Sequence, residues 1–356
     1  MQLLKNIKNI KSKVVIVRAD FNVPIINGKI TDDFRIKKAL PTINFLRKAG
    51  AKIILISHIG ESGESLLPVA KYLAKIMPIH FSGEVIGPKT TTLVKNLKNS
   101  EIVLLENLRM DPGEEKNDGI FAMNLACLAG IYVNEAFPVC HRHHASIVAL
   151  PKLLPCYAGF TLVEEIKHLS VALRKTPHPF LFILGGAKFS TKIPLLEKFL
   201  KKVDKIYIGG AIANNFLKEK GFNIKKSTFD KNSTVPKNIL ASKKIILPID
   251  FVWKDNSIKD IGAKSAKELL VSIKKSKFVL WNGPLGFYEQ GFDKSTKLVL
   301  KTLSESKAKT IIGGGDTVDL VSKLKLEKKF FFVSSGGGAA LEFLATGTLP
   351  GIKALE

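Results

Sequence analysis

Apolar residues along the chain alternate between short β-branched runs and longer stretches of helical period. In the first half this pattern predicts strands at 14–18, 52–57, 102–106 and 130–134, and helices at 35–49, 68–76, 89–97 and 120–128. Short strands separated by helices signal βαβ units stacked around parallel sheets. The expected fold class is α/β, with two Rossmann-like domains, each a parallel sheet flanked by helices. Two prolines between 150 and 155, a periodic segment at 162–174, and then Thr176-Pro177-His178-Pro179 predict a hinge helix joining the domains. The expected division is 1–160 for the N-terminal domain and 161–341 for the C-terminal one.

The second half repeats one theme: an apolar run, a glycine-rich turn, then a helical segment. It recurs at 180–186, 205–210, 278–286, 310–315 and 330–338. Such a turn presents bare backbone N–H groups and a helix N-terminus to an anion, at the sheet edge where open α/β folds bind ligands. A single Gly-Gly is an ordinary tight turn; the set on one sheet edge points to nucleotide phosphates. No stretch fits G-x-x-x-x-G-K-[ST], and none fits G-x-G-x-x-G after a strand, which excludes the common P-loop and dinucleotide fingerprints.

At 356 residues with 46% hydrophobic and 24% charged positions, the chain is long enough for two globular cores. No apolar run approaches the ~20 residues of a membrane span, so a cytoplasmic protein without membrane contact is expected. Cys127, Cys140 and Cys156 are an odd count with no zinc spacing, expected as reduced thiols. The formal charge of +24 raises nucleic-acid binding, but the lysines are spread along the chain with no aromatic-basic tract, so no nucleic-acid partner is expected.

Arginine is more informative. Of six arginines, Arg18, Arg35, Arg109 and Arg142 fall beside Asp, Asn or His near the ends of apolar runs. Arg grips carboxylate and phosphate with a planar fork that Lys lacks. In so Lys-rich a chain these positions read either as ligands for an anion or as structural ion pairs.

The motifs themselves carry a resemblance. Val17-Arg18-Ala19-Asp20-Phe21-Asn22-Val23-Pro24, Ile30-Thr31-Asp32-Asp33-Phe34-Arg35-Ile36, Ser57-His58-Ile59-Gly60, Glu106-Asn107-Leu108-Arg109, Val133-Asn134-Glu135-Ala136-Phe137 and His141-Arg142-His143-His144-Ala145-Ser146 occur in order. Then follow Gly185-Gly186-Ala187-Lys188-Phe189-Ser190-Thr191-Lys192, Gly209-Gly210-Ala211, Leu280-Trp281-Asn282-Gly283-Pro284-Leu285-Gly286, Gly313-Gly314-Gly315-Asp316-Thr317 and Ser335-Gly336-Gly337-Gly338-Ala339-Ala340-Leu341-Glu342. The series closely resembles the phosphoglycerate kinase family, from about residue 13 to the C-terminus.

The resemblance implies reversible phosphoryl transfer between 1,3-bisphosphoglycerate and ADP, giving 3-phosphoglycerate and ATP, with Mg²⁺ carried on the nucleotide. It implies that Arg18, Asp20, Asn22, Arg35, His58, Arg109 and Arg142 bind phosphoglycerate on the N-terminal domain, to which about 342–356 return. For the nucleotide it implies Gly186, Ala187, Lys188, Lys192, Gly209, Gly210, Asn282, Pro284, Glu289, Gly314, Gly315, Asp316 and Thr317, with Asp316 toward the metal. Arg35, Lys188 and the helix N-terminus at Gly337 are the implied catalytic groups, in a monomer whose domains close about the hinge. Local readings stay open beside these: Asp316 as a helix cap, Asp20 and Asn22 as turn residues, and Cys140 with His141, His143 and His144 as metal ligands.

The chain departs from the family pattern after Gly60, where Glu61 and Ser62 stand in place of Arg-Pro. Glu135 replaces the usual Asp, and the connections after His58 and around 251–264 are short.

Overall fold

The computed structural model describes residues 1–61, 63–174 and 176–356; Ser62, beside the Glu61 departure, lies outside the described residues. By packing, the chain divides into two units, Met1–Lys167 with Thr348–Glu356, and His168–Gly347. The C-terminal turn of helix Pro350–Lys353 belongs to the first unit, where the Gly351 N–H donates to the Cys140 carbonyl at 2.8 Å.

The first unit is built on a six-stranded parallel sheet in the order His80–Phe81, Ile102–Leu104, Lys52–Ile56, Val14–Arg18, Ile131–Asn134, Cys156–Ala158. Its inner strands are nearly continuous buried aliphatic runs, as a sheet covered on both faces requires. From the central strand Val14–Arg18 the chain winds to one side through Lys52–Ile56, then returns on the other side at Ile131–Asn134. The ends of Val14–Arg18 and Ile131–Asn134 lie in register, Arg18 opposite Asn134. That reversal of winding is where open α/β sheets leave a crevice.

The second unit repeats the plan. Its parallel sheet runs Ile245–Ile246, Lys205–Ile208, Phe180–Leu184, Phe278–Asn282, Lys309–Gly313, Phe332–Val333, and the winding reverses between Phe180–Leu184 and Phe278–Asn282. The aromatic-rich strands bury Phe180, Phe182, Phe278 and Trp281 completely against Phe199 and its neighbours.

Periodicity located five helices to within a few residues: Phe34–Lys48, Leu67–Leu73, Pro88–Asn96, Gly119–Ala126 and Phe160–Leu173 occupy the expected stretches, whereas Ala263–Lys275 and Lys294–Glu305 had been given no range. It did not find the edge strands His80–Phe81, Cys156–Ala158 and Ile245–Ile246, which are too short to show a period. Nor did it find the hairpin Phe251–Lys254 with Ser257–Ile261, closed by Asp255 and Asn256 in left-handed conformation (φ 51° and 58°), as a tight two-residue hairpin turn demands. No helix among the described residues is long and apolar enough to cross a membrane.

At the second switch point four glycine backbones approach so closely that no side chain fits. A Cβ on Gly185 would lie 2.1 Å from the Pro284 carbonyl oxygen, one on Gly283 2.4 Å from the Gly185 oxygen, and one on Gly210 2.6 Å from the Gly186 nitrogen. Gly185→Ala should therefore lower stability by about 2 kcal/mol or more, because rigid backbone must move. Gly119, at ordinary φ with open space around it, is the control: Gly119→Ala should be neutral or stabilising by up to about 1 kcal/mol. Denaturant melts of the two variants check this, and equal midpoints would contradict it.

Candidate active site

In the first unit the strand Val14–Arg18 ends by delivering Arg18 into a sealed polar cluster. Arg18 is completely buried. Its Nε donates to Ser146 Oγ at 2.8 Å, one terminal nitrogen donates to the Ala19 carbonyl at 2.6 Å, and the other lies 3.3 Å from His58 Nδ1 and 3.8 Å from Glu114 Oε1. Glu114, also fully buried, accepts from Ser146 Oγ at 2.6 Å and from the Ser146 N–H at 2.9 Å. A buried guanidinium is tolerated only with this degree of satisfaction. Arg18 is thus held beneath the surface, its hydrogen bonds spent within the protein.

Above it stand groups that face outward. Arg35, in the first turn of helix Phe34–Lys48, pairs with Asp20 Oδ2 at 2.8 Å and keeps part of its guanidinium exposed. Asp20 Oδ1 accepts from the Asn22 N–H at 3.1 Å, an Asx-type turn, and Asn22 Oδ1 accepts from the Gly60 N–H at 3.1 Å. Arg109 donates to the Gly60 carbonyl and pairs with Glu115 at 3.1 Å. The turn reading of Asp20 and Asn22 and their placement beside arginine hold together: the turns position the side chains.

His58 registers how much positive charge gathers here. Its pKa is driven well below the ordinary value, first by burial and then by Arg18, Arg109, Arg35 and His144. His144 and His141 are each lowered to about 4, by burial first, with Arg18, Arg109 and Arg142 acting on His144, and Arg142 on His141. Arg142 itself is exposed and has no hydrogen-bond or ion-pair partner for its side chain among the described residues. The structure so brings Arg18, Arg35, His58, Arg109 and Arg142 into one electrostatic neighbourhood, with Asp20 and Asn22 at its edge. Cys140 does not join the histidines as a ligand: its thiol is buried, donates to the Ala136 carbonyl at 3.4 Å, and is pushed up to about 12 by burial. Among the described residues no cluster of His, Cys, Asp and Glu is placed to hold a metal ion.

Glu61 is exposed next to this cluster, and Glu64 folds its carboxylate over Gly60, within 2.2 Å of where a Cβ would stand. Gly60 has φ +57°, a conformation that strains any residue with a Cβ, whereas the Glu64 carboxylate above it could swing aside.

In the second unit an open-mouthed cavity lies beside the glycine crossing. Gly186, Ala187, Gly210, Pro284, Glu289 and Asp316 of the expected nucleotide set line it. Lys188, Lys192, Gly209, Asn282, Gly314, Gly315 and Thr317 stand outside its lining but adjoin those residues in sequence or in space; the Asn282 amide, for one, packs against Gly313 and Gly314. Lys192 is buried, donates to the Gly185 carbonyl at 2.7 Å, and is lowered to about 8 by burial, Asp316 partly opposing the shift. Lys188 is exposed and unpaired among the described residues.

Asp316 is the second residue of helix Gly315–Lys323, whose N-cap is Gly314, and its side chain makes no capping bond. The cap reading of Asp316 therefore fails. Burial, then the charges of Glu289 and Asp319, raise its pKa, and the neighbouring Thr317 hydroxyl is fully buried without a partner among the described residues. A crowded carboxylate and an unsatisfied hydroxyl are oxygen donors of the kind a hard cation takes. Gly337, at φ +52°, opens helix Gly337–Thr346 away from the cavity lining.

The cavity's far wall escaped the sequence. Asn214, Thr228, Phe251, Ile258 and Ile261 line it, and only the Asp255-Asn256 dipeptide between alternating residues signalled the hairpin that carries three of them. Glu114, the partner of Arg18, had no local signal at all, being brought in from 96 positions along the chain.

Comparison with known proteins follows the same lines. A family profile described as "Phosphoglycerate kinase" matches residues 4–347. The "Phosphoglycerate kinase" of Coprothermobacter proteolyticus is 41% identical, covering 97% of this chain and 96% of that protein. That of Thermosipho africanus is 42% identical over 98% and 96%. Among solved structures, phosphoglycerate kinase from Pyrococcus horikoshii OT3 superposes with a TM-score of 0.88 at 28% identity, covering 100% of this chain and 98% of that one. The Coxiella burnetii enzyme gives 0.80 at 33%, covering 99% and 98%.

The histidines give the site a pH signature. Their folded pKa values lie below the ordinary 6.5, so between about 4 and 6.5 the unfolded chain binds more protons than the folded one. Stability should be full above pH 6.5 and fall as pH drops toward about 4, and His144→Gln should flatten part of that slope. Denaturation midpoints across this range check it; a midpoint independent of pH would contradict it.

Proposed function

Because the chain belongs to the phosphoglycerate kinase family, we propose that its first unit holds the three-carbon acid and its second the nucleotide. The activity is phosphoryl transfer between 1,3-bisphosphoglycerate and ADP, yielding 3-phosphoglycerate and ATP, a step of glycolysis. The chain is a phosphotransferase with a carboxyl group as acceptor. The division of labour rests on charge: one switch point collects arginines around a neutral histidine, the other bare glycine backbone beside Lys192 and Asp316.

The acceptor explains the absence of a base. A carboxylate has a pKa near ~4 and is ionised at neutral pH, so no proton need be removed from it. What remains is to align the substrates and to neutralise charge on the transferring group. We assign that task to Arg35, to the free ammonium of Lys188 and to the helix N-terminus at Gly337. Asp20, Asn22, His58, Arg109 and Arg142 would bind phosphoglycerate. Arg18, fully enclosed, would contribute its field and hold His58 and Ser146 in place.

In the nucleotide unit Gly186, Ala187, Gly209, Gly210, Asn282, Pro284, Gly314 and Gly315 would form the cradle, Lys192 would brace it through the Gly185 carbonyl, and Glu289 would meet the ribose. Asp316 and Thr317 would hold Mg²⁺ on the nucleotide. A bound Mg²⁺ supplies charge neutralisation at the phosphate oxygens. The proposed cycle closes the units about helix Phe160–Leu173, whose first N–H groups donate to Thr42 Oγ1 at 3.0 Å and Glu135 Oε1 at 2.9 Å. In this reading the chain acts in the cytoplasm as a monomer, its cysteines free and its lysines dispersed.

Variants separate these roles. Arg35→Ala and Lys188→Ala should each lower kcat by about a hundredfold or more, with little change in nucleotide binding, since both act on transition-state charge. Asp316→Ala should instead raise the KM for ATP at fixed magnesium. Steady-state kinetics of 3-phosphoglycerate phosphorylation check both, and an unchanged kcat in either cation variant would overturn the assignment.

Glu61 stands where the family carries Arg, so its carboxylate repels a substrate phosphate held nearby, by an amount of order ~1 kcal/mol at a surface. Glu61→Arg should lower the KM for 3-phosphoglycerate severalfold, leave that for ATP unchanged, and lose its benefit at high salt. An unaltered KM for 3-phosphoglycerate would show that this loop stands away from the phosphate.

A further inference from the structure

Phe287 and Glu289 line the nucleotide cavity, and Tyr288 between them does not. Tyr288 opens the short turn Tyr288–Gln290, and its hydroxyl reaches helix Gly315–Lys323 instead, where it meets Asp319 Oδ2 and, at 2.6 Å, Lys323 Nζ. Lys323 Nζ also pairs with Asp319 Oδ2 at 2.8 Å and lies 5.3 Å from the centre of the Tyr288 ring. Chemistry assigns each role in this closed clasp. An ammonium only donates and a carboxylate only accepts, so the phenol accepts from Lys323 and donates to Asp319. Burial first, and then Asp319, raise the phenol's pKa, so its proton stays on.

An exposed Lys–Asp pair one helical turn apart contributes little by itself. The phenol changes its meaning, because it joins two elements through charge-assisted bonds. One is the turn that carries Glu289, the next residue after Tyr288. The other is the helix that carries Asp316, one turn before Asp319. On its opposite side the turn is held to strand Ser257–Ile261: the Phe287 N–H donates to the Lys259 carbonyl at 2.7 Å, and Lys259 Nζ to Gln290 Oε1 at 3.1 Å. Glu289 and Asp319 both act on Asp316, raising its pKa after burial does, so these carboxylates share one neighbourhood.

We propose that Tyr288 is a positioning residue: its hydroxyl, clasped by Asp319 and Lys323, fixes Glu289 relative to Asp316 and so sets the ribose contact against the metal end of the nucleotide. This rests on the assignment of the cavity to the nucleotide and of Glu289 to the ribose.

The test compares ATP with 2′,3′-dideoxy-ATP, which lacks both ribose hydroxyls. The two nucleotides carry the same charge, so the ratio of their KM values is blind to any general change of field. In the unmodified enzyme the dideoxy nucleotide should have a KM about tenfold higher or more, the loss of hydrogen bonds to a carboxylate, and Glu289→Ala should bring that ratio close to one. Tyr288→Phe should lower the ratio about three- to tenfold by raising the KM for ATP, while kcat and the KM for 3-phosphoglycerate stay put. Asp319→Ala removes the phenol's acceptor and should lower the ratio likewise, and the double variant should be no worse than either single one. A ratio that survives both Tyr288→Phe and Asp319→Ala but collapses in Glu289→Ala would overturn the inference and leave the nucleotide reading intact. Fully additive losses in the double variant would overturn it too. A ratio near one in the unmodified enzyme, or one that survives Glu289→Ala, would overturn the ribose assignment and the inference together. Asp319→Ala decides the matter even where Tyr288→Phe does not fold.

Discussion

Two adjacent parallel strands must part where the winding of a sheet reverses, and in the second unit they part over naked backbone. Gly185, Gly210 and Gly283 occupy space that any Cβ would take from a carbonyl or an amide. The hydrogen bonds there run between the parting strands: the Gly185 N–H donates to the Asn282 carbonyl at 2.8 Å, and the Gly186 N–H to the Pro284 carbonyl at 2.9 Å. From this contact follow the height of the helix starting at Gly210, the place of the Lys192 ammonium on the Gly185 carbonyl, and the shape of the cavity. Remove the close approach and the proposed phosphate cradle loses both its floor and its position relative to Asp316.

The first unit meets the same topological demand by electrostatics. Its central strand ends in a buried cation, and Glu114 with Ser146 satisfy that cation from segments remote in sequence. Burial first, and then the charge of the neighbouring arginines, keeps His58, His141 and His144 neutral. Positive charge at the surface is then carried by the always-ionised guanidinium groups of Arg35, Arg109 and Arg142, which suits the proposed binding of a phosphate and a carboxylate across a range of pH. The few arginines of a lysine-rich chain are spent largely here.

Much of this was legible beforehand, for physical reasons that differ by element. Val14–Arg18 and Phe278–Asn282 were readable because a strand buried on both faces is an unbroken apolar run. The glycine turns were readable because only glycine tolerates such an approach, and the ordered motifs around Arg35, Lys188 and Asp316 carried the family. Illegible were features whose cause is long-range. Arg18 is sealed rather than open because Glu114 arrives from another helix, and the hairpin Phe251–Ile261 forms a cavity wall because of what it packs against. Two-residue edge strands such as Ile245–Ile246 owe their form to a neighbour's hydrogen bonds, not to their own pattern.

The central claim is that phosphoryl transfer occurs to a carboxylate, between substrates held by separate units, with no general base. It is tested most directly by mixing the enzyme with Mg-ATP and 3-phosphoglycerate in the presence of hydroxylamine, which traps an acyl phosphate as the hydroxamate. The account predicts hydroxamate formation that requires both substrates and equals the ADP released. ADP release without hydroxamate, or nucleotide binding with no turnover at saturating 3-phosphoglycerate, would contradict it.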